Sequence, residues 1–350
     1  MEPRQEQHPF ANQKSTMQRF LTAMAFIILF LPGNPALANN TFTGTSAGSS
    51  NTTGVHNTFT GFRSGYSTTT GSHNTFIGSN SGKTSTGSYS TFVGSFCGYN
   101  NTSGFANTFV GHYSGYSNTT GNYNVFMGME SGTENTTGHS NAFIGFRSGK
   151  ANTTGSYNTF VGRLSGRNNT NADDNTFIGY SSGHNNTTGY DNTYVGNSSG
   201  HNNTTGYHNT FSGADSGYKN TTGYENTFSG FKSGYNNTSG EQNTFSGSHS
   251  GYKNTTGYNN TFTGNGSGRN NTTGQYNTFT GSLSGHFNSN GRDNTFIGNL
   301  SGYANETDSN GFYVKAAFLS KMRHKVNYGA NCRDTEIHYT PQTQTGFFRL

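Results

Sequence analysis

The sequence predicts an all-β protein, a parallel β-solenoid, and three observations carry this prediction. A seventeen-residue motif recurs sixteen times between residues 39 and 311. Every copy holds one large aromatic residue at the same place and glycines at two fixed places. Only 28% of the residues are apolar, and 51 are glycines. So few apolar residues cannot fill a single globular core. A stack of coils needs less, because each coil can bury one aromatic ring.

The repeat unit is Asn-Thr-Phe-x-Gly-x-x-Ser-Gly-x-x-Asn-Thr-Thr-Gly-x-x, and we number its residues as positions 1 to 17. Position 3 is Phe in every copy except Tyr194, and the third copy lacks one residue. Short runs of β-branched residues without a helical period predict strands. The copies begin at residues 40, 57, 74, 90, 107, 124, 141, 158, 175, 192, 209, 226, 243, 260, 277 and 294.

Each coil is expected to hold two strands, at positions 1–4 and 12–14, so that the chain forms a two-stranded β-roll. Alternation along a strand puts positions 1 and 3 on one face and positions 2 and 4 on the other. We expect position 3 to point inward, because each coil offers no other large apolar core residue. The small residue at position 8, replaced by Ala47 and Cys97, should pack inward at a corner. Glycines at positions 5, 9 and usually 15 suit tight corners, and the asparagines should form ladders that satisfy backbone groups.

Residues 1–38 have the features of a secretory signal peptide. A basic start with Lys14 and Arg19 precedes the short apolar run at residues 20–31 and the small-x-small site Ala36-Leu37-Ala38. The run is short for a transmembrane helix, although an uncleaved membrane anchor is the alternative. Met17 is an alternative start. Cleavage after Ala38 predicts a mature chain that is secreted or held at the bacterial cell surface.

Charge is balanced along the repeats and basic in the tail. Residues 39–311 carry eleven Lys/Arg and eleven Asp/Glu, so no basic stripe follows a phosphate backbone, and we expect no nucleic-acid partner. Residues 312–350 form a non-repeat basic tail. It is either a native cap, with Val314, Phe318, Met322 and Val326 at the spacing of a short amphipathic helix, or an out-of-frame end. Two cysteines do not make a disulfide framework.

The repeat resembles that of known surface proteins. The Asn-Thr-Phe-Ile-Gly-x-x-Ser-Gly coil, as at residues 74–82, is similar to the coils of bacterial surface Asn-Thr-Phe-x-Gly repeat proteins. It is also similar to the Asn-Ser-Val-Ala-Ile-Gly coils in the β-roll heads of trimeric autotransporter adhesins. The resemblance covers residues 40–311. It implies a left-handed roll, a homotrimer and a place on the bacterial exterior.

From this sequence we expect no catalytic, metal-binding or cofactor-binding site. The turns lack the regular carboxylates of calcium-binding β-rolls, and Gly-x-Ser-x-Gly at residues 44–48 and 179–183 is a product of the repeat's own corner glycines. Position 17 alone brings acids and a histidine into successive coils. This acid column is either a metal or hydrolytic site or, as we favour, an exposed turn that accepts any polar residue. Its members are Asp174, Asp191, His208 and Glu225.

Position 10 carries an aromatic stripe interrupted by cations, and it supplies the candidate binding residues. Such a stripe suits stacking on sugar rings or self-association through cation–π contacts. The alternative is a stacked column that only stabilises the rod. The candidate residues are Tyr218, Tyr235, Tyr252, Arg269 and Tyr303.

The sequence therefore favours a structural or adhesive surface module and not an enzyme. Its expected partners are extracellular glycans, a surface or copies of itself. One buried ring per coil offsets little of the entropy lost by seventeen ordered residues, which predicts association as a homotrimer or a fibre. Ice binding is the alternative, because the outward positions 2 and 4 both hold threonine at Thr41/Thr43 and at Thr261/Thr263, as in a flat lattice of threonines. A polysaccharide-cleaving enzyme is the third hypothesis, and it depends on the acid column.

Overall fold

The computed structural model describes residues 39–314 and the backbone of residues 348–349. Each of the sixteen repeats contributes one three-residue strand at positions 2–4, and two further strands follow. The strands are β1 Thr41–Thr43, β2 Thr58–Thr60, β3 Thr75–Ile77, β4 Thr91–Val93, β5 Thr108–Val110, β6 Val125–Met127, β7 Ala142–Ile144, β8 Thr159–Val161, β9 Thr176–Ile178, β10 Thr193–Val195, β11 Thr210–Ser212, β12 Thr227–Ser229, β13 Thr244–Ser246, β14 Thr261–Thr263, β15 Thr278–Thr280, β16 Thr295–Ile297, β17 Phe312–Val314 and β18 Phe348–Arg349.

All these strands belong to one sheet, in which β1 to β17 pair in chain order. Every pair among them is parallel and in register, so position 3 always lies beside position 3. Register survives the one-residue deletion in the third repeat, where Phe76 pairs with Phe92. The strand β18 pairs antiparallel with β17. The predicted parallel β-solenoid with a seventeen-residue coil is confirmed.

The second predicted strand, at positions 12–14, is not confirmed: the structure has bends there. In the fourth coil the N–H groups of Thr102, Ser103 and Gly104 all donate to the carbonyl oxygen of Thr119, at 2.9, 3.1 and 3.2 Å. A strand cannot do this, because its successive N–H groups point to opposite sides. Neighbouring coils are therefore hydrogen-bonded at this corner, but by a turn that gathers several donors onto one carbonyl.

The aromatic residue of position 3 points inward, as predicted, and forms the core. From Phe59 to Phe296 these rings, Tyr194 included, are 0% exposed. Successive ring centroids from Phe42 to Phe296 lie 4.7–5.0 Å apart, with ring planes within 8° of parallel. Since the strands themselves are about 4.8 Å apart, the rings stack without leaving the strand register. The core is one continuous aromatic column.

Small residues at position 8 are buried beside this column, also as predicted. Ser64 shows the recurring contact: its hydroxyl donates to the carbonyl oxygen of Phe76 in the next coil, at 2.9 Å. Cys97 replaces serine in one coil, and its thiol makes the same contact with Phe109, at 3.2 Å. Burial raises the pKa of the Cys97 thiol, so this side chain serves as a small corner residue.

Two buried asparagine ladders flank the aromatic column and satisfy backbone groups. At position 1, the Asn107 carboxamide oxygen accepts from the N–H of Asn124, at 2.9 Å, and the Asn124 amide donates to the carbonyl of Gly138, at 2.8 Å. At position 12, the amide of Asn118 donates to the side-chain oxygen of Asn101, at 2.6 Å. Asparagine fits both places because one side chain offers an acceptor and two donors. The predicted ladders are confirmed.

The parallel pairing extends one strand past residue 311. In β17, Tyr313 pairs with Phe296 and sets its ring at 5.0 Å and 51° to that ring, so the regular stack ends here. The predicted signal peptide and the tail helix beyond Val314 lie outside the described residues. The described part of the chain contains no helix long and apolar enough to cross a membrane.

Candidate functional site

The position-10 side chains, which we call the tyrosine stripe, form a second stacked column on the outside of the rod. Its longest run begins with His184 and His201, 4.9 Å apart, and continues through three tyrosines. The next centroid distances are 4.9, 5.1 and 5.3 Å, to Tyr218, Tyr235 and Tyr252. Each of these residues follows the corner glycine of position 9, whose φ is near +59° in these coils. Because the coils are in register in the sheet, the position-10 rings of successive coils also lie directly above one another.

Arg269 follows this run in the next coil, and Tyr303 lies two coils beyond Arg269. The guanidinium carbon of Arg269 lies 5.6 Å from the centre of the Tyr252 ring. Tyr303 stacks instead on His286, at 5.2 Å. The structure therefore brings four of the five candidate binding residues into one continuous run, and it places the fifth in the same position-10 column, two coils beyond Arg269, where it stacks on His286.

Cations gather around the middle of the tyrosine stripe. The ammonium groups of Lys219 and Lys232 lie 5.7 and 5.6 Å from the centre of the Tyr235 ring. Partial burial, with Asp215 and the neighbouring tyrosines, raises the pKa of the Tyr235 hydroxyl. This group therefore stays neutral at physiological pH and can both donate and accept hydrogen bonds.

Stacking limits the ways in which the tyrosine stripe can bind a ligand. Tyr235 has Tyr218 on one face and Tyr252 on the other, so no sugar ring can stack on it. The half-buried rings still present their edges and their hydroxyl groups to solvent. Face stacking on sugars, one of the two predicted modes, does not fit the middle of the column. The geometry offers instead a row of hydroxyl groups, one per coil, among lysine and arginine cations.

A second surface stack escaped the sequence reasoning. At position 16, Tyr190, Tyr207 and Tyr224 are stacked at 5.1 and 4.9 Å. Glu241, in the next coil, accepts a hydrogen bond from the Tyr224 hydroxyl and raises its pKa to about 12. This stack could have been predicted from the sequence, because tyrosine occupies the same position in three successive repeats. This second column resembles the tyrosine stripe in chemistry but lies at a different corner.

The four residues of the acid column are exposed. His208 lies 3.4 Å from the Asp191 carboxylate, and Glu225 accepts a hydrogen bond from Gln242 at 2.9 Å. Slight desolvation by its neighbours first, and then the Asp191 and Asp173 carboxylates, raise the pKa of Asp174. Within the described residues, no three His, Cys, Asp or Glu side chains are arranged to hold a metal ion. The arrangement lacks the burial that tunes catalytic groups.

We expect Asp174→Asn and Asp191→Asn to leave both stability and any polysaccharide-degrading activity unchanged. Exposed carboxylates with one weak partner contribute little, and each asparagine keeps the size of the side chain it replaces. Thermal unfolding and reducing-sugar release from soluble polysaccharides measure the two properties. A hydrolytic activity of the unmodified chain that either substitution abolishes would contradict the assignment of this column to the surface.

Comparison with known proteins adds no relationship to this geometry. No protein-family model matches the chain, and no curated protein matches it.

Proposed function

We propose that the chain is an exported structural or adhesive module, a left-handed rod that holds a tyrosine-rich surface outside the cell. The observation that carries this proposal is the run from His184 to Arg269, in which a half-buried aromatic column continues through five coils and ends on a cation. Its partners are extracellular glycans, other surfaces or copies of the chain. No catalytic role is part of the proposal.

The chemistry of the tyrosine stripe suits polymers with repeated hydroxyl groups. The centroids of successive phenol rings are 5.1 and 5.3 Å apart, so a glycan chain lying along the rod meets a hydrogen-bonding group at every coil. Each contact is weak, but contacts along one rod act together, which raises the overall affinity by multivalency. The cations at Lys219, Lys232 and Arg269 add attraction for acidic sugars.

Replacing Tyr218, Tyr235 and Tyr252 together with serine should lower binding about tenfold, because three hydroxyl-bearing rings and their cation contacts are lost. Serine occupies the same position naturally at Ser49, so the coil accepts it. Co-sedimentation with microcrystalline cellulose and chitin measures glycan binding, and sedimentation velocity measures self-association. Circular dichroism checks that the strands persist.

The matched control is the triple replacement of Tyr190, Tyr207 and Tyr224 with serine. It removes the same three rings from the position-16 stack, where Ser72 shows that serine is accepted. Binding that falls equally in both variants would show that stacked tyrosines act only on rod stability. Binding unchanged in the Tyr218/Tyr235/Tyr252 variant would reject the tyrosine stripe as the working surface.

Ice binding remains the second candidate, and one observation favours it. Position 2 is threonine in nine consecutive strands, β8 to β16, and all of these threonines lie in register on the outside of the sheet. Position 4 breaks the lattice, because it is apolar from β3 to β10 and serine from β11 to β13. We therefore expect no thermal hysteresis in freezing measurements. Clear thermal hysteresis would instead indicate that the chain binds ice through the threonines of position 2.

A further inference from the structure

The outer side chains of the sheet, at positions 2 and 4, form a surface that we call the strand face. None of the 22 charged residues between residues 39 and 311 lies at either position. Exposed edges of natural sheets commonly carry charges that prevent association, and the solvated faces of sheets are commonly polar. Depletion of charge is instead typical of the centre of a protein–protein interface.

One block of the strand face is apolar. Position 4 is Ile, Val or Met in eight consecutive strands, β3 to β10. Five of these side chains are 39–41% exposed, far more than any residue of the core. The five are Ile77, Met127, Ile144, Ile178 and Val195. A contiguous apolar ladder of this kind marks a binding surface.

We propose that the strand face binds the strand face of a second copy, with the two rods parallel and in register coil by coil. The two-fold axis then runs along the rod, so each strand lies opposite the same strand of the partner, in the reverse direction. Position 4 changes in blocks along the rod: apolar in β3 to β10, serine in β11 to β13, threonine in β14 and β15. Under this axis each strand meets the same strand of the partner, with position 4 of one rod facing position 2 of the other, so the strands that carry apolar position-4 side chains lie opposite one another.

The contact area selects this arrangement over the other two-fold arrangements. Seventeen strands about 4.8 Å apart and about 10 Å wide present roughly 800 Å² per rod, or about 1,600 Å² for the pair, which is the size of a stable interface. Centring two antiparallel rods on the apolar block leaves part of each face uncovered. Centring antiparallel rods on their midpoints sets apolar strands against serine strands. Of these arrangements, the in-register pair combines full overlap with apolar strands opposite apolar strands.

The block pattern also favours a second copy over a crystalline surface. A periodic surface such as ice or a polysaccharide crystal presents the same groups to every coil and so matches a uniform repeat. Position 2 is close to uniform, but position 4 is not. A second copy in the same register places every strand of the apolar block opposite another strand of that block. This proposal rests on the proposed function in one respect: both include copies of the chain among its partners.

Cysteine cross-linking of the full chain tests the register. The background is Cys97→Ser, which restores the usual residue of position 8, with Cys332→Ser. In the proposed pair, position 4 of one rod faces position 2 of the same coil in the other, so Ile144→Cys and Ala142→Cys chains with different tags should be joined by a short bis-maleimide. Ile144→Cys with Thr193→Cys is the control, because three coils, about 14 Å, separate these sites. Equal yields for the two mixtures, or none for either, would overturn the proposal.

Sedimentation velocity of the full chain tests the surface. We expect a dimer whose dissociation constant rises at least about tenfold in Ile144→Lys, since each rod then buries an unpaired ammonium group against position 2 of the same coil in the other rod. Ala151→Lys, in the same coil at position 11, should leave it unchanged, because Lys219 and Lys253 occupy that position elsewhere. A monomer or a trimer of the unmodified chain would reject the pair. A dimer that survives the Tyr218/Tyr235/Tyr252 replacement separates this result from failure of the tyrosine stripe.

Discussion

Phe160→Ala, in the middle of the rod, should destabilise the surrounding coils by about 3–5 kcal/mol. The ring is fully buried and stacked between Phe143 and Phe177, at 4.8 and 4.9 Å. Hydrogen bonds between coils fix the distance between those neighbours, so they cannot close over the vacated space. The substitution therefore leaves a cavity in addition to the lost apolar burial.

Damage from Phe160→Ala should stay local at first, because each coil contacts mainly its neighbours. Hydrogen–deuterium exchange should speed up in β7, β8 and β9 before the ends of the rod respond. Thr159→Ala is the control, since it lies outward on the same strand and Ala142 takes its place in the preceding coil. Equal effects of the two substitutions would contradict the description of the core.

The orientation of the core could be predicted from the sequence because it depends on few choices. A strand has two faces, each repeat has one large apolar candidate for the core, and Phe at position 3 settles which face is inward. The second strand could not be predicted in the same way. Asn-Thr-Thr has the composition of a strand, but three N–H groups converge on one carbonyl there, and that depends on the next coil being in place.

Positions 7 and 17 are the largest feature that sequence reasoning missed. Both have φ of +52° to +62° in every described coil, nearly always with a residue other than glycine. Leu164 and Tyr157 illustrate how bulky these residues are. The signal was an absence: neither position is ever Val, Ile or Thr, although threonine is abundant. β-Branched residues are excluded because they fit the left-handed region worst.

The surface columns were predictable in identity but not in geometry. Tyrosines at position 10 repeat in the sequence, and their stacking follows once register is fixed. Their loss of free faces does not follow from composition, because it depends on coils being about 5 Å apart. The same spacing makes the tyrosine stripe a row of phenol edges and turns the variable residue of position 4 into a continuous ladder.

Gly145→Ala should be more damaging than the loss of a core ring. Gly145 has a φ of +135°, where residues other than glycine are strongly disfavoured. A Cβ there would lie 2.5 Å from the carbonyl oxygen and 2.6 Å from the carbonyl carbon of Gly162 in the next coil. Backbone cannot move aside as a side chain can, so β7 and β8 would have to separate. We expect a loss of at least about 4 kcal/mol, seen as a lower urea midpoint by circular dichroism.

Gly266→Ala provides the matched control, a glycine of the same rod with positive φ but no backbone obstacle. Its φ is +62°, and the contact nearest to an added Cβ is the end of the Leu283 side chain, at 2.8 Å, which can rotate away. The other repeats carry side chains at this position 7. The free energy of unfolding of the Gly266→Ala variant should change by no more than about 1 kcal/mol. If the two alanine variants unfolded at the same urea concentration, close approach of backbone at position 5 would not be the reason that its glycine never varies.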